Sequence, residues 1–257
     1  MAIQYIDFKE AKAQQGLRLV AVSGIPSPWA EAAKAILHIK EIPFSAVYHD
    51  PFNKEMASWV GSGSAPAAIY NEENPVSGWS DILMLAERLS SSPALLPSDP
   101  DDRALALQLS HQICGEQGLG WWRRLDSVHK GLTGQPGGFP EPVSQYLASK
   151  YGYQKDQVSD YVPNVINILN LLSERLKQQR DKGQKFYVGS SISAVDLYSA
   201  TFMAYFKPLP QDQCPMLEYI RPVFESLDEP LAEALDPILI EHRDFIYDQY
   251  LELPLSL

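Results

Sequence analysis

The segment Ser90–Asp102, SSSPALLPSDPDD, constrains this chain more than any other stretch. Pro93, Pro97 and Pro100 fall within it. Proline removes a backbone donor and clashes with the preceding helical turn, so no single helix or strand runs through. Before this segment, short β-leaning runs alternate with helical ones. After it, nearly every apolar pattern has helical spacing. The break therefore reads as a linker, 90–102, between an α/β domain, 1–89, and an all-helical domain, 103–257. Residues 1–16 stand ahead of the first strand as an N-terminal extension.

Leu17–Ser23 (LRLVAVS) reads as a strand ending at Gly24. After GIPSPW, the run AEAAKAILHIK places Ala33, Ile36, Leu37 and Lys40 at helical spacing. Ser27 suits the N-cap of that helix and Pro28 its first turn. Residues 42–49 (IPFSAVYH) read as a second strand, 52–60 as a short helix closed by Gly61, and 64–70 (SAPAAIY) as a third strand. Val76 begins a brief fourth. Ser80–Leu89 is a helix with Ile82, Leu85, Ala86 and Leu89 on one face. Beyond the linker, Leu105, Leu109 and Ile113 mark one helix. The stripe from Val158 to Leu176 marks a long one containing Pro163. Helices are also expected at 194–206, 216–227 and 230–251.

Composition sets the outer limits. The chain has 257 residues, 45% hydrophobic and 21% charged, which suffices for a core. A formal charge of -11 repels nucleic acid unless cations are concentrated locally, and only short basic pairs such as Arg123–Arg124 occur. No run is long and apolar enough to span a bilayer, and the first residues lack the apolar core of a signal peptide. A cytoplasmic protein with no membrane or nucleic-acid partner is expected. Cys114 and Cys214 have no metal-site spacing, and no metal is expected. His111 and Cys114 share a helix face but lack further ligands.

Three short motifs carry chemistry. Ser27-Pro28-Trp29-Ala30 sits at a strand-to-helix turn, where helix N–H groups are unpaired. Ser27 is there either a plain cap or a hydroxyl that donates to a thiolate. Ala65–Pro66 heads a strand, and is either an edge turn or a cis bond that turns the Ala65 backbone toward a ligand. Ser193-Ala194-Val195-Asp196 has capping-box spacing, with Ile192 and Leu197 as a hydrophobic staple. In GLGWWRRL, neighbouring Trp121 and Trp122 face different directions on a helix, so at most one lines a pocket.

In order and spacing these motifs resemble the glutathione-transferase superfamily. SPWAEAAKAILHIKEIPF is similar to the C-P-[FW]-A stretch and first helix of omega-class members. SAPAAIY is similar to the V-P-x-L strand, and FYVGSSISAVDLYSATFMAYF to the F-x-x-G-x-x-x-[ST]-x-x-D helix start. The resemblance runs from about Leu17 to about Phe206. It implies a thioredoxin-like first domain, a helical-bundle second domain, a homodimer, and glutathione as co-substrate for attack on a small hydrophobic electrophile. Ser27 would be catalytic. Pro28, Trp29, Ala65, Pro66, Trp79 and Ser80 would bind glutathione, and Trp122 would line the electrophile pocket. Two departures stand out. Ser27 replaces the omega-class cysteine, which argues against thiol–disulfide exchange. Gly78-Trp79 replaces the acid–serine pair that holds the γ-glutamyl end, with Ser77, Ser80 and Asp81 as the nearby polar alternatives. A non-catalytic, partner-binding scaffold of the same fold is the competing expectation.

Overall fold

The computed structural model describes residues 3–257. The chain forms two compact units. The first holds the residues up to Leu95, together with Gln211–Met216 and Tyr247–Leu257; the second holds Leu96–Pro210 and Leu217–Ile246. The chain thus re-enters its first unit twice after the linker. The hydroxyl of Tyr5 and the ammonium of Lys34 both donate to the Ser256 carbonyl, at 3.1 and 2.7 Å, and the Leu255 N–H donates to Gln213 O.

In the first unit the elements run β1 (Tyr5–Ile6), α1 (Phe8–Ala13), β2 (Leu17–Ala21), α2 (Pro28–Ile39), β3 (Phe44–Tyr48), α3 (Lys54–Val60), β4 (Ala67–Tyr70) and α4 (Trp79–Leu89). The sheet order is β1-β3-β2-β4, with β3 parallel to both its neighbours and β4 antiparallel to β2. This is a thioredoxin-like α/β unit with one added N-terminal strand. The expected fourth strand at Val76 is reduced to a single bridge to Ala68. Alternation along the strands sends Val20, Val47, Ala67 and Ile69 to one face, where Ile6, Ala11, Met56 and Val60 join them. The extension 1–16 therefore supplies part of this core, through β1 and α1. On the other helices, α2 and α4 pack together.

The central strand β2 is buried along its whole length, Arg18 included. Burying a guanidinium is costly unless hydrogen bonds inside the protein replace those to water. Arg18 donates to Gly16 O at 2.6 Å and to Asn71 O at 2.8 Å, tying the start of β2 to the end of β4. Lys40, 1% exposed, similarly bonds Glu87 and the Pro93 carbonyl. Glu87 also accepts the Leu95 N–H, so the linker's first half is fastened to α2 and α4.

The second unit is built from α5 (Pro100–Cys114), α6 (Leu119–Leu132), α7 (Glu141–Tyr151), α8 (Val158–Asp181), α9 (Ala194–Phe202), α10 (Arg221–Glu225), α11 (Glu229–Ala234) and most of α12 (Pro237–Tyr250). Pro163 lies inside α8 without ending it. The helix expected over 230–251 is two helices. Pro237 begins the second, and the Asp236 side chain accepts the Ile238 N–H, a stop-and-restart signal. The helix expected at 216–227 shrinks to Arg221–Glu225.

The arginine pair is not a surface patch. Arg123 is 2% exposed and donates to Asp126, Ser127, Tyr205 O and Ser226 O. Lys130 bonds Asp126 at 2.9 Å and lies 2.6 Å from Asp228. Arg124 lies over the rings of Phe139, Tyr151 and Tyr205, at 5.1 to 5.5 Å from their centres. These cations are spent inside the unit.

Every residue of α9 is buried, including Tyr198 and Phe202. Its capping box forms. The Asp196 carboxylate accepts the Ser193 N–H at 2.8 Å, the Ser193 hydroxyl at 2.7 Å and the Tyr187 N–H at 2.9 Å. Ser193→Ala removes the cap but leaves Asp196 two N–H donors, so it should cost about 1 kcal/mol. An unchanged urea midpoint in that variant would remove the cap from the account of α9.

Candidate functional site

The loop after β2 leads into α2 through Ser27, whose backbone is extended (φ -61°, ψ 112°). Its carbonyl accepts the Glu31 N–H at 2.8 Å, closing the first helical turn. Its side chain makes no cap hydrogen bond. The plain-cap alternative therefore does not describe Ser27: the residue holds the N-cap position, yet its hydroxyl is not committed to the helix. Pro28 occupies the first helical position, where a missing N–H costs nothing. Trp29 follows, half-buried.

Sheet register brings the other motifs to this place. Antiparallel pairing sets Val20 against Ala67 and Leu17 against Tyr70. Continued outward, the same register sets Ala21 against Pro66, so Ala65–Pro66 lies at the end of β2 that feeds the Ser27 loop. The Ala65–Pro66 bond is cis, as one of its two sequence readings required. The paired ladder begins at Ala67, which leaves the Ala65 amide beyond it. The Ala68–Val76 bridge runs antiparallel as well, and carries the chain back to the same end, where Gly78, Trp79 and Ser80 open α4. Three sequence-distant features, Ser27 to Trp29, Ala65–Pro66 and Trp79–Ser80, thus share one end of one sheet. Two helices begin there.

Gly78 explains itself by close approach. A Cβ on it would lie 2.8 Å from Oδ2 of Asp81. The Asp81 carboxylate folds back over the N-terminus of α4, into the space a side chain at 78 would need. An exposed acid at this position lies favourably against the positive end of the helix. Sequence reasoning named Asp81 only among alternatives. The signal for it was glycine at the N-cap with an acid three residues on.

One turn into α2 lies a buried ion pair, Glu31 and Lys34, 2.6 Å apart and each about 5% exposed. Burial pushes the Glu31 carboxyl above the usual carboxylate range, and Lys34 partly opposes that shift. Burial also raises the Tyr5 phenol, helped by Glu31 and by Tyr48, whose ring stacks on it at 4.1 Å.

Trp122 is half-buried on α6 of the second unit, its ring 5.8 Å from Tyr161 of α8. Trp121 packs on Tyr151. Cys114 and Cys214 are buried thiols. Burial drives the Cys114 thiol well above its ordinary value, which makes it a poor nucleophile. Among the described residues no cluster of His, Cys, Asp and Glu is placed to hold a metal ion, and no helix is long and apolar enough to cross a membrane.

No family model matches the sequence, and no curated protein matches it. Solved structures do. One is a glutathione S-transferase from Methylobacillus flagellatus with glutathione bound: 14% identity, 91% of this chain and 96% of that chain, TM-score 0.64. The fold is that of the glutathione transferases. Similar too is a maleylacetoacetate isomerase from Methylobacterium extorquens with bound malonate and glutathione (18% identity, 90% and 92% coverage, TM-score 0.59). Glutathione transferase Omega 3C from Trametes versicolor is a third (16%, 94% and 89%, 0.58). Matches of this length and low identity carry the glutathione-transferase architecture across nearly the whole chain, and leave the chemistry to the side chains.

Proposed function

We propose that this chain binds glutathione at the N-terminus of α2 and activates its thiol for attack on a small hydrophobic electrophile. The observation that carries this reading is the convergence, by sheet register, of Ser27, Ala65–Pro66 and the opening of α4 at one end of the first unit. Structures of similar fold hold glutathione. The Ser27 hydroxyl would donate to the sulfur, and the first turn of α2 would favour its thiolate. The Ala65 amide would pair with the peptide backbone of the ligand. Pro28 and Trp29 would shape the sulfur side of the site, and Trp79, Ser80 and Asp81 its γ-glutamyl side. Trp122 is the proposed electrophile contact. The protein would work in the cytoplasm as a homodimer, without a metal.

Asp81 supplies, in this reading, the carboxylate that Gly78-Trp79 lacks, and faces the ligand's ammonium. Asp81→Asn should weaken glutathione binding about tenfold, close to 1.4 kcal/mol, with turnover at saturation little changed. Titration calorimetry with glutathione tests both statements. Binding that is equal in the two proteins would take Asp81 out of the site.

A second reading is favoured by Gly78-Trp79 itself: a scaffold that kept the fold for partner binding and lost the ligand's anchor. Wild-type protein that gives no heat with glutathione and conjugates no standard electrophile would leave this reading in place of the first.

A further inference from the structure

The second unit contains a cavity of about 250 Å³ that the proposed chemistry does not use. The end of α8 contributes Leu176 and Arg180, the following loop Gln184 and Lys185, and α12 Glu241, His242 and Phe245. All belong to one compact unit. Its volume is near the lower end for small-molecule sites.

The lining has a specific chemistry. Leu176 and Phe245 are apolar walls, and Phe186 packs against Phe245 from behind at 5.9 Å. His242 is 4% exposed, its ring edge-on to Tyr187 at 5.0 Å. Its Nε2 is 3.1 Å from Asp196 Oδ1 but out of line for a hydrogen bond, so a buried polar ring is held beside the cavity without a hydrogen-bond partner at that nitrogen. Asp196 already receives N–H donors on both oxygens. At the rim, Arg180 is matched by Glu241 at 3.0 Å. Lys185 is not matched: among the described residues it makes no ion pair, and its ammonium lies over the Phe245 ring at 5.5 Å.

We infer that this cavity binds a single-ring aromatic carboxylate. The ring lies between Leu176 and Phe245 beside the His242 imidazole, and the carboxylate meets Lys185. One unmatched cation selects a monoanion, and apolar walls reject a bare inorganic one. The chain's overall charge of -11 repels anions elsewhere, so such a ligand needs a local cation of this kind. The inference stands apart from the glutathione site and survives the failure of that reading.

The test is heteronuclear NMR of the full chain titrated with benzoate, with benzamide as the uncharged control, first without glutathione and then with glutathione added. Benzoate should shift amide signals of Gln184, Lys185 and residues 241–245, and benzamide should bind more weakly. Lys185→Gln, on an exposed residue, should weaken benzoate at least about fivefold. Gln184→Trp, at a half-buried lining residue, should abolish binding while leaving the fold intact. The inference is overturned if about 10 mM benzoate shifts nothing in the wild type. It is equally overturned if both variants bind as the wild type does, or if glutathione displaces the benzoate.

Discussion

Ser27→Ala is expected to lower turnover of a conjugation substrate by one to a few orders of magnitude, about 1.4 kcal/mol of barrier for each factor of ten. The loss falls on turnover because the hydroxyl donates to a charge that is fully developed only when the thiol has lost its proton. Glutathione affinity should change much less, since its binding rests on the Ala65 backbone and the polar groups at the head of α4. Stability should change by only a few tenths of a kcal/mol, because the Ser27 side chain makes no cap bond that alanine would remove. That combination separates the two roles of an N-cap serine. A plain cap would lose about 1 kcal/mol of stability and no activity. Ser27→Cys should introduce thiol–disulfide exchange, since a thiol at the first turn of α2 has its proton loosened by the helix. Michaelis kinetics, calorimetry and urea unfolding on the two variants measure all three quantities. Turnover equal to wild type in Ser27→Ala removes serine activation, whatever the fold.

The sheet and its helices were legible because each is punctuated. Gly24 and the Ser27-Pro28 turn separate β2 from α2, Gly61 closes α3, and Pro66 opens β4. What escaped is what depends on distant partners. β1 is two residues long and exists through its pairing with β3, including the Ala46 N–H donated to Gln4 O. No periodicity can show in so short a run. Helix α7 has a weak apolar face and follows a glycine-rich loop, so no periodicity announces it. The division of 230–251 is written in the sequence as Pro237, which opens α12.

The site divides the same way. Ser27, Pro28, Ala65 and Pro66 declare themselves by residue type at a turn, and register then sets them at one end of the sheet. Trp79 and Ser80 came from the resemblance and share the same end of the sheet. Asp81 needed the structure, because its return over Gly78 is a side-chain event. The arginine pair also depends on partners that are distant in sequence. Arg123 looks like surface charge, but its partners are Asp126 nearby and the carbonyls of Tyr205 and Ser226 far along the chain. Likewise nothing in the order of residues brings His242 to Asp196.

Asp196 is where the largest loss of stability is expected. The carboxylate is fully buried, and its two oxygens divide three donors between them: Tyr187 N–H on Oδ1, Ser193 N–H and Oγ–H on Oδ2. Alanine would strand those donors inside a helix start that is packed on every side, at about 3–5 kcal/mol. Asparagine is no rescue. Its amide offers one acceptor and one donor, and whichever oxygen it replaces, an NH₂ then points at a backbone N–H. Asp196→Asn should therefore lose about 3 kcal/mol, several times the cost of Ser193→Ala, which leaves both N–H bonds to the carboxylate in place. Urea unfolding followed by far-ultraviolet circular dichroism reads both losses on one scale. Equal losses in the two variants would reduce the acid to an ordinary cap. A loss below about 1 kcal/mol in Asp196→Asn would show that the donors of Tyr187 and Ser193 find water instead, and that the start of α9 opens more easily than its burial implies.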